Sequence, residues 1–200
     1  DPAILEQIKT YLTNTRPDIL EGDTLELYSH NNPLYEHYGI ESQVENIFST
    51  SIKLPSGGYI VVHGTEAGYM IDVNSGKSSS GKSIDETALN TNLEAARAAC
   101  QILKLRDVGG IIVIDFIDMV DREHQKQVEQ VVAQTISTDR AKIKFETISA
   151  LTGCMFMLRQ RLGVPFFESS LTTDDNNDYI LMGKKRSVES YANYILHIIE

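Results

Sequence analysis

Two apolar segments that each end in a carboxylate constrain the fold of this chain more than any other feature. The first, Met70–Gly76, contains Asp72 and Asn74, and the second, Gly109–Met119, contains Asp115. Side chains alternate between the two faces of a strand, so Asp72 and Asn74 face the same way, and Asp115 meets them if the two strands are neighbours. Mg²⁺ takes oxygen ligands from one or two carboxylates together with water and substrate phosphate. The pattern therefore predicts a magnesium site suited to phosphodiester hydrolysis, with Asp72 and Asp115 as the ligands.

The polar residues of this pattern also have simpler explanations. Asp72 and Asn74 belong to residue types that favour turns and can end a strand without binding a ligand. Asp115 ends a continuous apolar run, where an ionised carboxylate must be paired or bound to a metal. Asp118, three residues further on, either orients a metal-bound water from outside the ligand set or is a solvated loop acid. One pair of carboxylates predicts one metal ion per chain.

Composition excludes several classes of protein. The chain has 200 residues, of which 42% are hydrophobic and 23% charged, typical of one globular domain or slightly more. No apolar run approaches the roughly 20 residues that cross a bilayer, so we expect no membrane span. Cys100 and Cys154 lack the spacing of a disulfide framework or zinc knuckle, which predicts reduced thiols within helices and a cytoplasmic protein. Because the first residue is Asp1, we expect a piece of a longer protein.

The charge is unevenly distributed. Residues 1–50 contain nine acidic and two basic residues, so they account for most of the net charge of −10. Proteins that bind phosphate backbones usually carry an excess of Lys and Arg. The remainder of the chain, which contains the candidate catalytic residues, is close to neutral.

Local signals predict an irregular first section of the chain. Asp1 and Pro2 begin a helix over residues 2–13, as N-cap and first helical residue. A loop over 14–23 and a short strand over 24–29 follow.

The later section predicts an α/β fold with a mixed sheet flanked by helices. Strands over 44–54, 59–62 and 68–73 form an antiparallel meander, with a turn at Pro55–Gly58. A capping box at Ser83 and Glu86 begins a predicted helix of about 20 residues, and the strand that contains Asp115 follows it. The remaining predicted elements are a polar helix near 122–137, a strand near 141–146 and a helix near 148–162.

A phosphate-binding loop is a competing interpretation of one segment. Residues 76–83 match the pattern G-x-x-x-x-G-K-[ST] between a predicted strand and a predicted helix, as in a P-loop NTPase. Asp72 and Asn74 argue against it, because an NTPase normally presents apolar residues at the end of that strand. If the segment is instead a mobile loop, Lys77 and Lys82 are candidates for RNA-phosphate contacts.

Other residues are weaker candidates for RNA contacts. Three basic residues flank the Asp115 strand, namely Arg106, Arg140 and Lys142. They either contact an RNA backbone or are surface charges without a function. Tyr59 and Phe116 either stack on bases or pack in the core.

Several motifs in a fixed order carry a resemblance to a known family. Over roughly residues 32–170 the chain resembles the catalytic core of the ribonuclease E/G family. The matching segments are Leu54–Val62, Ile71–Gly76, Glu86–Ala96, Leu105–Gly110, Ile114–Met119 and Arg159–Leu162.

The resemblance implies a domain organisation and an activity. Residues 1–40 would end a 5′-sensor-like module, and residues 41–170 would form a deoxyribonuclease-I-like catalytic subdomain. The implied enzyme is a Mg²⁺-dependent endonuclease that hydrolyses single-stranded RNA to 5′-phosphate products, in ribosomal RNA processing and messenger RNA decay, with Mn²⁺ as a substitute metal. Asp72 and Asp115 would hold the magnesium, and Asn74 would contact the scissile phosphate.

One segment departs from the family pattern. The resemblance makes residues 171–200 a linker and the first helix of a small domain, but Asp174 and Asn177 stand where the family has the cysteines of a C-P-x-C zinc-link. These side chains cannot make a tetrahedral thiolate site, so zinc is not expected and any homo-oligomer would form without it. The family's OB-fold RNA-binding domain is also missing from this sequence. An RNA-binding or scaffold module without catalysis is therefore the alternative to an enzyme.

Overall fold

The computed structural model describes residues 1–20, 25–65, 67–76, 83–163 and 192. It divides into two compact units, one containing the described part of Asp1–Ser42 and the other that of Gln43–Tyr194. The boundary lies two residues from the predicted boundary after residue 40. The assignment of the first unit to a 5′-sensor-like module stays a prediction, and residues 171–200 lie outside the described residues except for residue 192.

The first unit begins with the predicted helix. Helix α1 spans Pro2–Thr15, and the Asp1 side chain accepts a hydrogen bond of 2.8 Å from the backbone N–H of Ala3. A 3-10 helix at Pro17–Leu20 occupies part of the predicted loop. Residues 25–29 have no regular structure, so the predicted strand is wrong over that part. Helix α2 spans Leu34–His37.

A six-stranded mixed sheet forms the second unit, as predicted. Its strands lie in the order β1-β2-β3-β4-β6-β5, with β3 and β4 parallel and every other neighbouring pair antiparallel. The first three strands make the predicted antiparallel meander. The strand bounds are β1 Ser51–Lys53, β2 Tyr59–Gly64, β3 Gly68–Asn74, β4 Gly110–Asp115, β5 Ile143–Phe145 and β6 Cys154–Arg159.

Three helices complete the described elements. Helix α3 spans Ile40–Phe48, α4 spans Ile84–Leu105 and α5 spans Arg122–Ile136. Helix α4 joins β3 to β4, since parallel strands need a long crossover connection. It begins with the predicted capping box, in which Ser83 and Glu86 exchange side-chain hydrogen bonds with each other's backbone N–H. Among the described helices, none is long and apolar enough to cross a membrane.

The core lies on one face of the sheet. Alternate residues of the four central strands are buried there against the small side chains of α4 and the valines of α5. Small side chains let a helix approach a sheet closely, which suits the alanines of α4. The buried strand residues are Ile60, Val62, Ile71, Val73, Ile112, Ile114, Met155 and Met157. The other face of the sheet carries exposed or half-buried side chains, including Met70, Asp72, Ile111, Asp115 and Phe156.

In the second unit, two predicted elements are wrong. Residues 44–48 belong to α3 rather than to a strand, because the hydrophobic residues there follow helical spacing from Ile40. The predicted helix over 148–162 is instead a turn followed by β6. Gly153 has φ +70°, which breaks a right-handed helix, and β6 pairs with a strand on each side. Cys154 therefore lies on a strand, whereas Cys100 lies on a helix as predicted.

Candidate active site

Three polar side chains lie side by side on the open face of the sheet. Asp72 on β3 is in register with Asp115 on β4, and Asp115 is in register with Cys154 on β6. Neighbouring strands lie about 4.8 Å apart, so residues in register are direct neighbours. Asp72 alternates with Ile71 and Val73, which are buried in the core, so its carboxylate is on the opposite, open face. The structure thus brings together the two predicted metal ligands.

Asn74 contacts the first of these carboxylates. Its Nδ2 donates a hydrogen bond of 2.7 Å to Oδ2 of Asp72. Just beyond it, Gly76 has φ +65°, and a Cβ there would lie 2.4 Å from the backbone oxygen of Gly57. Only glycine fits this close approach, which holds the end of β3 against the turn between β1 and β2. The amide and the carboxylate therefore have a defined relative position.

Asp115, the second carboxylate, has a neighbour that the sequence analysis did not identify, namely Cys154. Its Sγ donates a hydrogen bond to Oδ1 of Asp115 at 3.4 Å. Burial raises the pKa of the Cys154 thiol, a hydrogen bond with Thr152 opposes the rise, and Asp115 adds to it. The thiol is therefore neutral near pH 7 and acts as a weak donor toward Asp115.

Asn92 on α4 positions the segment that follows Asp115. Its Nδ2 donates to the backbone oxygen of Ile117 at 2.8 Å, and its Oδ1 accepts from the backbone N–H of Ile117 at 3.0 Å. Asn92 is fully buried, so this pair of bonds satisfies the polar side chain and the loop backbone together. Sequence analysis missed this role. The available signal was an Asn on the apolar face of a helix, between Leu89 and Ala96.

Asp118 is exposed on the loop after β4. A Cβ at Gly153 would lie 3.3 Å from Oδ1 of Asp118, so this carboxylate lies against the turn before β6. Nothing in the described contacts joins it to Asp72 or Asp115. Its role in orienting water stays a prediction.

Arg106 is not an RNA contact in this structure. The side chain is buried, and its guanidinium donates to the backbone oxygen of Ser49. Burial lowers the pKa of Arg106 to about 10, while Tyr69 partly opposes that shift. The prediction for Arg106 is therefore wrong, because the residue follows a helix whose end packs into the core rather than a surface loop.

The other predicted basic contacts have different outcomes. Arg140 and Lys142 are exposed, but they precede β5, whose first residue Ile143 is in register with Arg159 at the far end of β6 from Cys154. They lie at the opposite end of the sheet from the carboxylates, and their contact with RNA stays a prediction. Lys77 and Lys82 lie outside the described residues.

The two aromatic candidates for base stacking differ in their exposure to solvent. Phe116 is buried in the core, which confirms the packing alternative. Tyr59 is partly exposed and in register with Asn74, next to the carboxylates. Only Tyr59 is accessible to a base.

An ion triad occupies the opposite end of the sheet. Arg159 on β6 donates to Asp139 at 2.9 Å and to Asp107 at 2.8 Å, and its side chain is 1% exposed. Burial by itself would raise the pKa of each carboxyl, but hydrogen bonds from Arg159 and from backbone N–H groups outweigh it and hold both pKa values below the ordinary range. Asp107 also accepts from the backbone of Leu162 and Gly163. Arg159, the first residue of the matching segment Arg159–Leu162, therefore has a structural role.

The donor set at the open face fits a hard divalent cation. Asp72 and Asp115 supply two carboxylates on neighbouring strands, and Mg²⁺ commonly uses one or two carboxylates and keeps several waters. In the described part of the chain, no group of three or more His, Cys, Asp or Glu side chains could hold a metal. Two carboxylates would leave the remaining coordination positions of such an ion open to water and substrate.

Comparison with known proteins decides the family. The model of the ribonuclease E/G family matches residues 1–162. This chain belongs to the ribonuclease E/G family. Ribonuclease E of Haemophilus influenzae is 44% identical over 199 residues, which is 100% of this chain and 21% of that protein. Ribonuclease E of Escherichia coli is 45% identical over 171 residues, covering 85% of this chain and 16% of that protein.

The ribonuclease G branch of the family is also similar. Ribonuclease G of Haemophilus influenzae is 37% identical over 155 residues, which is 78% of this chain and 31% of that protein. The chain thus spans only about a sixth to a third of the length of these relatives. Family membership confirms the resemblance carried by the motifs and favours the ribonuclease interpretation of residues 76–83 over the NTPase one.

Proposed function

We propose that this chain is the metal-binding part of an endoribonuclease that hydrolyses single-stranded RNA and leaves 5′-phosphate products. The observation that supports this most directly is the placement of Asp72 beside Asp115, with Asn74 bonded to Asp72. The names of the similar proteins, ribonuclease E and ribonuclease G, support the substrate class. Ribosomal RNA processing and messenger RNA decay would be the corresponding tasks.

Asp72 and Asp115 would hold one Mg²⁺ at the open face. When bound, the ion would supply Lewis-acid stabilisation of the negative charge on the reacting phosphate and activation of water. The two carboxylates lie half-buried at a strand end, which keeps their geometry fixed while leaving the face accessible to RNA. Mn²⁺ would occupy the same oxygen ligands.

Asn74 would orient the scissile phosphate. An amide NH₂ carries two hydrogens, so the group that donates to Asp72 has a second N–H to donate to a phosphate oxygen. A bond of this kind fixes the phosphate relative to the Asp72 carboxylate and contributes to rate by orientation. The Cys154 thiol would hold the rotamer of Asp115 in the same way on the other side.

A metal titration tests the proposal. Mn²⁺ binding to the wild type and to Asp115→Asn is measured by calorimetry or by paramagnetic relaxation, with Asp85→Asn as the control. Asp85 is an exposed acid in the first turn of α4. We expect Asp115→Asn to weaken binding strongly and Asp85→Asn to leave it unchanged. Equal affinity in all three proteins would remove Asp115 from the site.

A binding or scaffold module without turnover is the second candidate. Two observations favour it: the acidity of residues 1–50 and the absence of cysteines at residues 174 and 177. Labelled single-stranded RNA incubated with the full chain and Mg²⁺ separates the two candidates, because specific binding without cleavage supports the scaffold. Cytoplasmic location and a homo-oligomer without zinc stay predictions.

A further inference from the structure

A cleft opens beside the carboxylates, between two loops of the second unit. One wall is the segment 117–120 after β4, the other is the turn 148–153 before β6, and Gln125 of α5 closes one side. The cavity has a volume of about 350 Å³, within the range of small-ligand sites. It begins two residues after Asp115 and ends one residue before Cys154, whose thiol lies 3.4 Å from Asp115. The cleft therefore lies at the same end of the sheet as the proposed metal site.

Hydrogen bonds fix both walls of the cleft. On one side, Gln125 Nε2 donates to the backbone oxygen of Met119 at 2.8 Å. On the other, Ser149 Oγ accepts from the backbone N–H groups of Leu151 and Thr152, and Glu129 Oε1 accepts from the backbone N–H of Ile148. A preformed cleft costs little conformational entropy when a ligand enters.

The rim of the cleft has an unusual composition. Val120 and Leu151, one on each wall, are both 92% exposed. Two apolar side chains that contact little of their own protein are suited to the flat faces of a planar ligand. Asp118 adds a carboxylate that accepts hydrogen bonds from N–H groups. A flat, apolar ligand with N–H donors at its edge is the chemistry of a nucleobase.

We propose that this cleft receives the base of a nucleotide next to the scissile phosphate. The inference rests on the proposed function, because RNA whose phosphate lies at Asp72 and Asp115 must place a neighbouring nucleotide within reach of the cleft. Val120 and Leu151 contact the faces of the base, and Asp118 accepts from its edge. The cleft is thus a binding subsite that holds the strand in position for cleavage.

Removal of a single base tests this subsite. The full chain is assayed on a single-stranded RNA oligonucleotide with one cleavage site, and on matched oligonucleotides that lack the base on the 5′ or the 3′ side of that site. For the wild type, we expect loss of the base at one of these positions to lower kcat/KM by roughly tenfold. In Leu151→Ala and Val120→Ala, the ratio between intact and abasic substrate should fall toward one.

Leu105→Ala is the matched control. Leu105 is also exposed, at 57%, but it ends α4 just before β4 begins, at the opposite end of that strand from Asp115. This variant should keep the wild-type ratio. All three substitutions remove exposed side chains, so folding should be little affected.

Binding measured in EDTA keeps this inference distinct from the proposed function. The affinity ratio for intact and abasic oligonucleotides should again depend on Leu151. Base-dependent binding without any metal-dependent cleavage would overturn the proposed function and support the subsite. A wild type that is insensitive to base removal at both positions, or a Leu151→Ala variant with the wild-type ratio, would overturn the subsite.

Discussion

The two ends of the sheet use carboxylates in opposite ways. At the end of the sheet where β4 begins, Asp107 and Asp139 share the guanidinium of Arg159, and the Asp139 side chain is only 4% exposed. At the other end, Asp72 and Asp115 lie half-exposed beside an amide and a thiol, and no ion pair to either occurs in the part of the chain that the structure describes. The first pair of carboxylates compensates a buried cation of the fold, whereas the second pair leaves its oxygens open to a ligand.

The largest expected effect concerns the open end. Asp115→Asn should lower kcat/KM for RNA on the order of 10³-fold, the scale for losing one preorganised transition-state contact. The midpoint of thermal unfolding should change little, because no buried cation loses its partner. Cleavage kinetics and a thermal melt on the same preparation check both statements. Normal cleavage by Asp115→Asn, or a large loss of its thermal stability, would contradict this contrast between the two ends of the sheet.

The opposite end should respond in stability rather than in activity. Asp139→Asn leaves Arg159 buried with one charged partner, and breaking a buried pair costs about 3 kcal/mol or more of unfolding free energy. Urea unfolding measures this loss, and the folded fraction should cleave RNA at nearly the wild-type rate. Lys144→Gln, which changes an exposed residue of β5, serves as the control. Loss of activity without loss of stability would show that the triad does more than hold the fold.

A smaller effect is expected where the fold supports the open end. Asn92→Ala leaves the N–H and the carbonyl of Ile117 without their side-chain partner, at a cost of about 2 kcal/mol. Because Ile117 lies only two residues after Asp115, kcat should also fall in the folded protein. Asn90→Ala, two residues away on the same helix, is the matched control. Hydrogen exchange of the Ile117 amide reports directly on its lost hydrogen bond to Asn92. Unchanged protection of that amide in Asn92→Ala would argue against the positioning role of Asn92.

The smallest expected effect is a pH dependence of stability. The folded pKa values of Asp107 and Asp139 lie below the ordinary value of 3.8. Their contribution is therefore fully present above the unfolded pKa and is lost as the pH falls through the folded pKa. We expect the difference in unfolding free energy between wild type and Asp139→Asn to shrink as the pH falls from 6 toward 3, because protonation of Asp139 removes the charge that the variant already lacks. A constant difference would mean that the Asp139 charge contributes nothing.

Long regular elements were predictable from the sequence because their signals are local. The capping box at Ser83 and the apolar spacing that follows it predicted α4, and alternation predicted β2 and β3. The segment 154–159 was misassigned because its Met and Leu residues favour a helix by propensity. Pairing with β4 and β5 overrides that preference. Arg106 was misassigned because nothing in its neighbours indicates burial.

The sequence by itself determined which residue types the site contains and that Asp72 and Asn74 share a face, since strand periodicity is a property of the backbone. Only the tertiary structure decided that Asp115 is in register with Asp72 and that Cys154 is its other neighbour. It also decided that Arg159 serves the fold and that a cleft opens beside Asp115. Register, burial and cavities depend on contacts between residues far apart in the chain, and no local pattern encodes those contacts.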